Sequence, residues 1–117
     1  MPCVKVMSAE IAPERKGPLA KRLCGDMKKF LNAPVMEVFY LNLDGAYANG
    51  EENTGAHAIL EVEGPDIRKD VVSHLGIALC ESFQAESGYE ECHSVVVYHV
   101  NDKDHVCTKE GLLSEKM

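Results

Sequence analysis

Met1-Pro2-Cys3-Val4-Lys5-Val6-Met7 is the stretch on which the fold turns. Val4 and Val6 fall on one face and Cys3, Lys5 and Met7 on the other, the alternation of a short strand. Methionine before a small residue is readily removed, so Pro2 is expected to become the first residue and to carry a free secondary amine. An α-amino group titrates near about pH 8 in water, and burial beside a sheet lowers that value by disfavouring the charged form. Such an amine can act as general base, general acid or nucleophile towards a carbonyl. Pro2 is therefore the candidate catalytic residue; the alternative is an ordinary second residue ahead of an edge strand.

Outward from this strand, Leu19, Ala20, Leu23, Cys24, Met27, Phe30 and Leu31 recur at helical spacing, with Lys21, Arg22, Lys28 and Lys29 on a solvated face. Gly17 and Pro18 predict an irregular entry, with the regular helix starting near Gly17. Asn32-Ala33-Pro34 stops it, and Val35 to Leu43 reads as a second strand. Residues 2–43 thus form one strand–helix–strand unit. The acidic, glycine-containing stretch 44–55 is a loop, with Asp44-Gly45 and Asn49-Gly50 as turn signals and room for a small hairpin. Residues 56–100 repeat the first order. Ala56, Ala58, Leu60 and Val62 alternate as a strand; Gly64-Pro65-Asp66 opens a helix carrying Ile67, Val71, Leu75, Ala78 and Leu79; Glu86-Ser87-Gly88 ends it; and Ser94 to Val100 returns as a strand. The tail, 101–117, carries Val106, Leu112 and Leu113 among polar residues, and reads as a strand gripping a neighbouring subunit or as a frayed end.

The expected fold class is α+β: one domain, a two-layer sandwich of duplicated βαβ units with both helices on one face of a four-stranded sheet. Phe39, Leu41, Ile59 and valines of the last strand remain on the other face, so an oligomer that covers them is expected.

Composition narrows the function classes. The chain has 117 residues, 45% hydrophobic and 26% charged, and a formal net charge of -7. That balance argues against nucleic acid and anionic membrane surfaces as partners, both of which reward clustered Lys and Arg. No apolar run approaches the roughly 18 residues that span a bilayer, and no signal-peptide pattern is seen, so the expected address is the cytoplasm. Five cysteines, Cys3, Cys24, Cys80, Cys92 and Cys107, form no CxxC pair or zinc spacing. Cys24 and Cys80 read as buried reduced thiols. No metal or cofactor is expected.

A duplicated βαβ architecture that begins Met-Pro resembles the tautomerase superfamily, which includes oxalocrotonate tautomerase and macrophage migration inhibitory factor. MPCVKV is similar to the family's amino-terminal strand, and Leu31-Asn32-Ala33-Pro34-Val35 followed by Val38 to its second-strand entry. The length resembles the migration inhibitory factor type, with both units in one chain, and the extended polar tail resembles small bacterial members.

The resemblance implies a homotrimer with sheets inside, helices outside and sites at the subunit boundaries. In each site a terminal proline moves a proton on a small keto-enol or unsaturated carbonyl compound. It also implies departures. The arginine with which oxalocrotonate tautomerase binds a substrate carboxylate falls here on Phe39, and the lysine of migration inhibitory factor falls on Ala33. A dicarboxylate bound in the usual way is not expected; Lys5, Arg15, Lys16 or Arg68 would have to substitute. Phe39, Tyr40 and Tyr98 are the expected substrate-binding residues. Tyr40 is suited either to donate to a developing enolate or simply to pack. Tyr98 matches a pocket tyrosine of the migration inhibitory factor type, but of the adjacent Tyr98 and His99 only one can face the pocket. The alternative function is a catalytically inactive trimeric scaffold or partner-binding protein, with the missing cations marking lost catalysis. A third reading is an unrelated two-layer ligand-binding domain.

Overall fold

The computed structural model describes residues 2–52, 57–89 and 91–116. Met1, whose removal the sequence predicts, Asn53 to Gly55 of the expected loop, and Ala56, the expected start of the third strand, lie outside the described residues. Strand β1 (Cys3–Ser8) buries Val4, Val6 and Ser8 and leaves Lys5 and Met7 half-buried on the other face. Helix α1 (Pro13–Phe30) crosses back, and β2 (Glu37–Asn42) lies parallel to β1 with Val6 opposite Tyr40. A two-residue ladder follows, β3 (Tyr47–Ala48) against β4 (Glu51–Glu52), turned by Asn49 at φ 53° and Gly50 at φ 80°. Two successive positive φ angles define the tight hairpin turn that Asn-Gly favours.

The second unit repeats the first. Strand β5 (His57–Gly64) runs antiparallel to β1, helix α2 (Lys69–Glu86) crosses over, and β6 (His93–Val100) lies parallel to β5 with Val62 opposite Tyr98. The sheet order is β2-β1-β5-β6. Both helices have 18 residues, and Leu19 and Leu75, Leu23 and Leu79, Cys24 and Cys80, Asp26 and Ser82, Met27 and Phe83 hold matching places in them. The expected two-layer α+β fold is the fold observed.

The core lies between the layers. Val4, Val6, Leu60 and Val62 of the sheet meet Leu19, Leu23, Met27, Leu75, Leu79 and Phe83 of the helices, all at 1% exposure or less. Each such side chain contributes about 1.5–3 kcal/mol relative to an exposed one. Between the helices, the buried Ser82 hydroxyl donates to the Asp26 carboxylate and accepts from Arg22 Nε at 3.1 Å, while Arg22 also pairs with Glu86 at 3.2 Å. Cys24 and Cys80 are half-buried rather than buried, and each thiol points at a carbonyl, Met36 just before β2 and Ser94 near the start of β6, at 3.6 Å.

Element boundaries depart from expectation in several places. Helix α1 starts at Pro13, not near Gly17, because Pro13 has its φ pre-set for a first turn and Arg15 N–H closes onto Ala12 O at 2.9 Å. Pro18 is carried inside the helix; the carbonyl deprived of its donor belongs to exposed Glu14, within reach of water. Helix α2 starts at Lys69 rather than at Gly64-Pro65-Asp66. Gly64 is still in the sheet, its carbonyl accepting from Asn101 N–H at 2.7 Å, and Pro65 O is taken by the Tyr98 hydroxyl at 2.5 Å. Strand β2 starts at Glu37, two residues beyond Val35. The tail folds as a hairpin, β7 (Cys107–Thr108) against β8 (Gly111–Leu112), between short 3₁₀ turns.

The sheet face away from the helices is open. Phe39, Leu41, Ile59, Val95 and Val97 are 40–53% exposed there. No helix among the described residues is long and apolar enough to cross a membrane.

Candidate active site

Pro2 is buried at the start of β1, and its carbonyl accepts from Glu37 N–H at 3.3 Å, which ties it to the start of β2. Beside it is a hollow of about 240 Å³ walled by the Asn32–Val35 turn, Pro65 and Leu113. Three chain segments meet there for local reasons. Asn32-Ala33-Pro34 has left the helix because Pro34 disfavours helical geometry before it. Pro65 is held by Tyr98. Leu113 is fixed by its N–H on Val106 O at 2.9 Å, which closes the tail hairpin. Among the described residues, Asn32 is the single wall residue with a polar side chain, and none is charged.

The expected substrate-binding residues are not gathered around Pro2 within one chain. Phe39 and Tyr40 border a separate hollow of about 420 Å³ with Lys5 and Leu41. Phe39 is on the open face; Tyr40 is turned towards the helices, and its hydroxyl donates to Lys16 O at 2.6 Å. Burial pushes the Tyr40 hydroxyl pKa up. Tyr98 also faces the helix side and stands behind the Pro65 wall, its pKa raised by burial and by Asp66. Of the adjacent pair, His99 takes the open face, with Nε2 3.6 Å from Glu61. Tyr40 and Tyr98 hold equivalent register positions in the two units, opposite Val6 and Val62.

The cations have partners elsewhere. Lys5 lies 3.5 Å from Glu63 and 3.9 Å from Glu61, Arg68 pairs with Asp70 at 3.0 Å, Arg15 reaches Glu86 O at 3.4 Å, and Lys16 sits 5.9 Å from the Tyr40 ring centre. Next to Pro2, the Cys3 thiol donates to Glu63 at 3.2 Å. Burial and that carboxylate push its pKa up to about 11, and the same hydrogen bond holds Glu63 low. Cys3 is thus a neutral thiol near pH 7, a poor nucleophile. No group of three or more His, Cys, Asp or Glu among the described residues is placed to hold a metal ion.

Pro65 and Leu113 were not legible as wall residues. The first is far from Pro2 in sequence and is brought beside it only by the antiparallel register that sets Cys3 opposite Glu63, and the second had as its signal only a leucine pair in a polar tail.

The duplicated βαβ architecture is shared with solved structures. A fused 4-oxalocrotonate tautomerase, described as a wild-type asymmetric trimer, superposes with a TM-score of 0.81 at 16% identity, covering 97% of this chain and 98% of that one. A member of the cis-3-chloroacrylic acid dehalogenase family gives 0.79 at 19% identity over 95% and 82%. A macrophage migration inhibitory factor-like protein from Entamoeba histolytica gives 0.77 at 13% identity over 95% and 97%. The chain has the tautomerase superfamily fold. No protein-family model matches the sequence, and no curated relative matches it either.

Proposed function

We propose that the protein is a tautomerase-like enzyme in which Pro2, freed by loss of Met1, serves as general base and then general acid on a small carbonyl compound. The observation that carries this reading is the burial of Pro2 beside an apolar hollow of about 240 Å³. A terminal amine there is poorly solvated as a cation, so its pKa falls towards neutrality and both protonation states are accessible near pH 7. The nitrogen takes a proton from the carbon next to the carbonyl, the electron pair moves onto oxygen, and the resulting ammonium returns the proton to oxygen or to another carbon of the conjugated system. Asn32 is the wall residue able to hydrogen-bond the oxygen as charge develops.

The assembly proposed with it is a homotrimer closed on the open sheet face, whose exposed Phe39, Leu41, Ile59, Val95 and Val97 form a patch that a second copy can cover. Phe39, on that face, and Tyr40 and Tyr98, as supports behind it, belong to the site in that assembly. A second reading, a scaffold of the same fold without catalysis, is favoured by the internal pairing of Lys5, Arg15 and Arg68.

Intact mass and labelling by 3-bromopropiolate, with peptide mapping, separate the two readings. Loss of Met1 and pH-dependent labelling at Pro2 support the enzyme; a retained methionine, or a free proline no more reactive than a simple secondary amine, moves the assignment to the scaffold.

A further inference from the structure

We infer that the Pro2 hollow accepts an uncharged carbonyl compound, an aldehyde, ketone or ester conjugate, in preference to a carboxylate; this rests on the reading of Pro2 as an active amine. The wall is made of Asn32, Ala33, Pro34, Val35, Pro65 and Leu113, so among the described residues its surface is alkyl and pyrrolidine apart from one neutral amide. A carboxylate entering such a space loses water and gains no cation, a penalty that an ester or ketone of the same shape does not meet. Two cations close in sequence to the wall already have carboxylate partners. Lys5 is on the open sheet face between Glu61 and Glu63, and Arg68 is held by Asp70 outside the Pro65 wall. The net charge of -7 adds long-range repulsion of anions. A neutral carbonyl asks for what the hollow has, an apolar wall for its carbon chain and one amide for its oxygen.

Leu113 is one of the apolar wall residues. It is presented by the tail hairpin, which the Cys107–Leu112 pairing and the Leu113 to Val106 hydrogen bond of 2.9 Å hold in place. A cation at this position, or at Val35, another wall residue and 48% exposed, supplies the missing partner for a carboxylate.

The test compares methyl 3-bromopropiolate with 3-bromopropiolate on the full-length protein. The rate of adduct formation mapped to Pro2 is divided, for each reagent, by its rate with prolinamide. The ester's normalised rate is expected to exceed the anion's by about tenfold or more, the cost of an unpaired charge in a dry site. Leu113→Arg, and independently Val35→Arg in case the first variant misfolds, are expected to raise the anion's normalised rate and leave the ester's lower or unchanged. An anion rate equal to or above the ester's in the unmodified protein overturns the neutral-substrate inference while leaving Pro2 as an active amine. Labelling at Pro2 by neither reagent above the prolinamide rate overturns the enzyme reading itself and this inference with it.

Discussion

Ser82 donates its hydroxyl hydrogen to the carboxylate of Asp26, and these two buried residues hold the same place in the two equal helices. The contact therefore lies where the two repeats face each other, and Arg22 Nε closes on the same hydroxyl at 3.1 Å. Ser82→Ala removes the donor and leaves a carboxylate buried without it. Urea unfolding is expected to show a loss of about 1–3 kcal/mol. Asp26→Leu combined with Ser82→Ala is expected to cost less than the two single changes summed, because the pair is removed together. Additive losses would show that the contact carries no coupling.

Tyr40→Phe and Tyr98→Phe form a matched pair of probes, since each hydroxyl donates to a backbone carbonyl, Lys16 O at 2.6 Å and Pro65 O at 2.5 Å. Each change is expected to lower stability by about 1 kcal/mol. Their effects on the Pro2 hollow should differ: freeing Pro65 alters its wall, whereas freeing Lys16 does not touch it. Pro2 labelling should respond more strongly to Tyr98→Phe than to Tyr40→Phe.

Gly64→Ala tests the close approach behind the same wall. A Cβ at Gly64 would lie 2.6 Å from the Tyr98 hydroxyl oxygen, so the hydroxyl must leave Pro65. The variant is expected to reproduce the Tyr98→Phe loss of about 1 kcal/mol, with steric strain added. A melting temperature equal to that of the unmodified protein would show that the ring moves aside freely.

Cys3 gives a pH dependence with a defined sign. Its folded pKa of about 11 lies above the ordinary 9.0, so the folded state holds the thiol proton more tightly than the unfolded chain. The associated stability is fully present below about pH 9 and is lost as pH rises through about 11. Cys3→Ala should flatten this alkaline decline in thermal stability between pH 8 and 11. Glu63, held low by the same thiol, acts with the opposite sense: its contribution is present above the usual carboxylate range and disappears as pH falls below it.

Periodicity carried the layer order because it reports which face is buried, and the open-face alternation of Phe39 and Leu41 with Val38 and Tyr40 survives in the folded sheet. It failed at helix starts. Sequence signals favour Pro18 over Pro13 and make Gly64-Pro65 a helix start, and long-range pairing corrects the second: Val100 and Asn101 keep Gly64 in the sheet, whereas Pro13 opens the first helix. The candidate site was legible at Pro2, a residue with distinctive chemistry, and not at Leu113 or Pro65, whose significance lies in where pairing across the sheet and the tail hairpin bring them. Nor did spacing reveal that Tyr40 and Tyr98 turn their hydroxyls to backbone carbonyls on the helix side, since either face of a half-buried strand accepts a tyrosine.

The antiparallel meeting of β1 and β5 sets the two repeats head to tail, so the start of β5 at His57 and the start of β1 at Cys3 lie at opposite ends of the sheet. The nitrogen at His57 is joined to the preceding residue and is an amide in every state of the protein. One repeat can thus bear a basic amine at its leading edge, and the other, built on the same plan, cannot. The molecule carries its own blank in the main chain: a reagent that demands a secondary amine at a strand end can find one only on the first repeat.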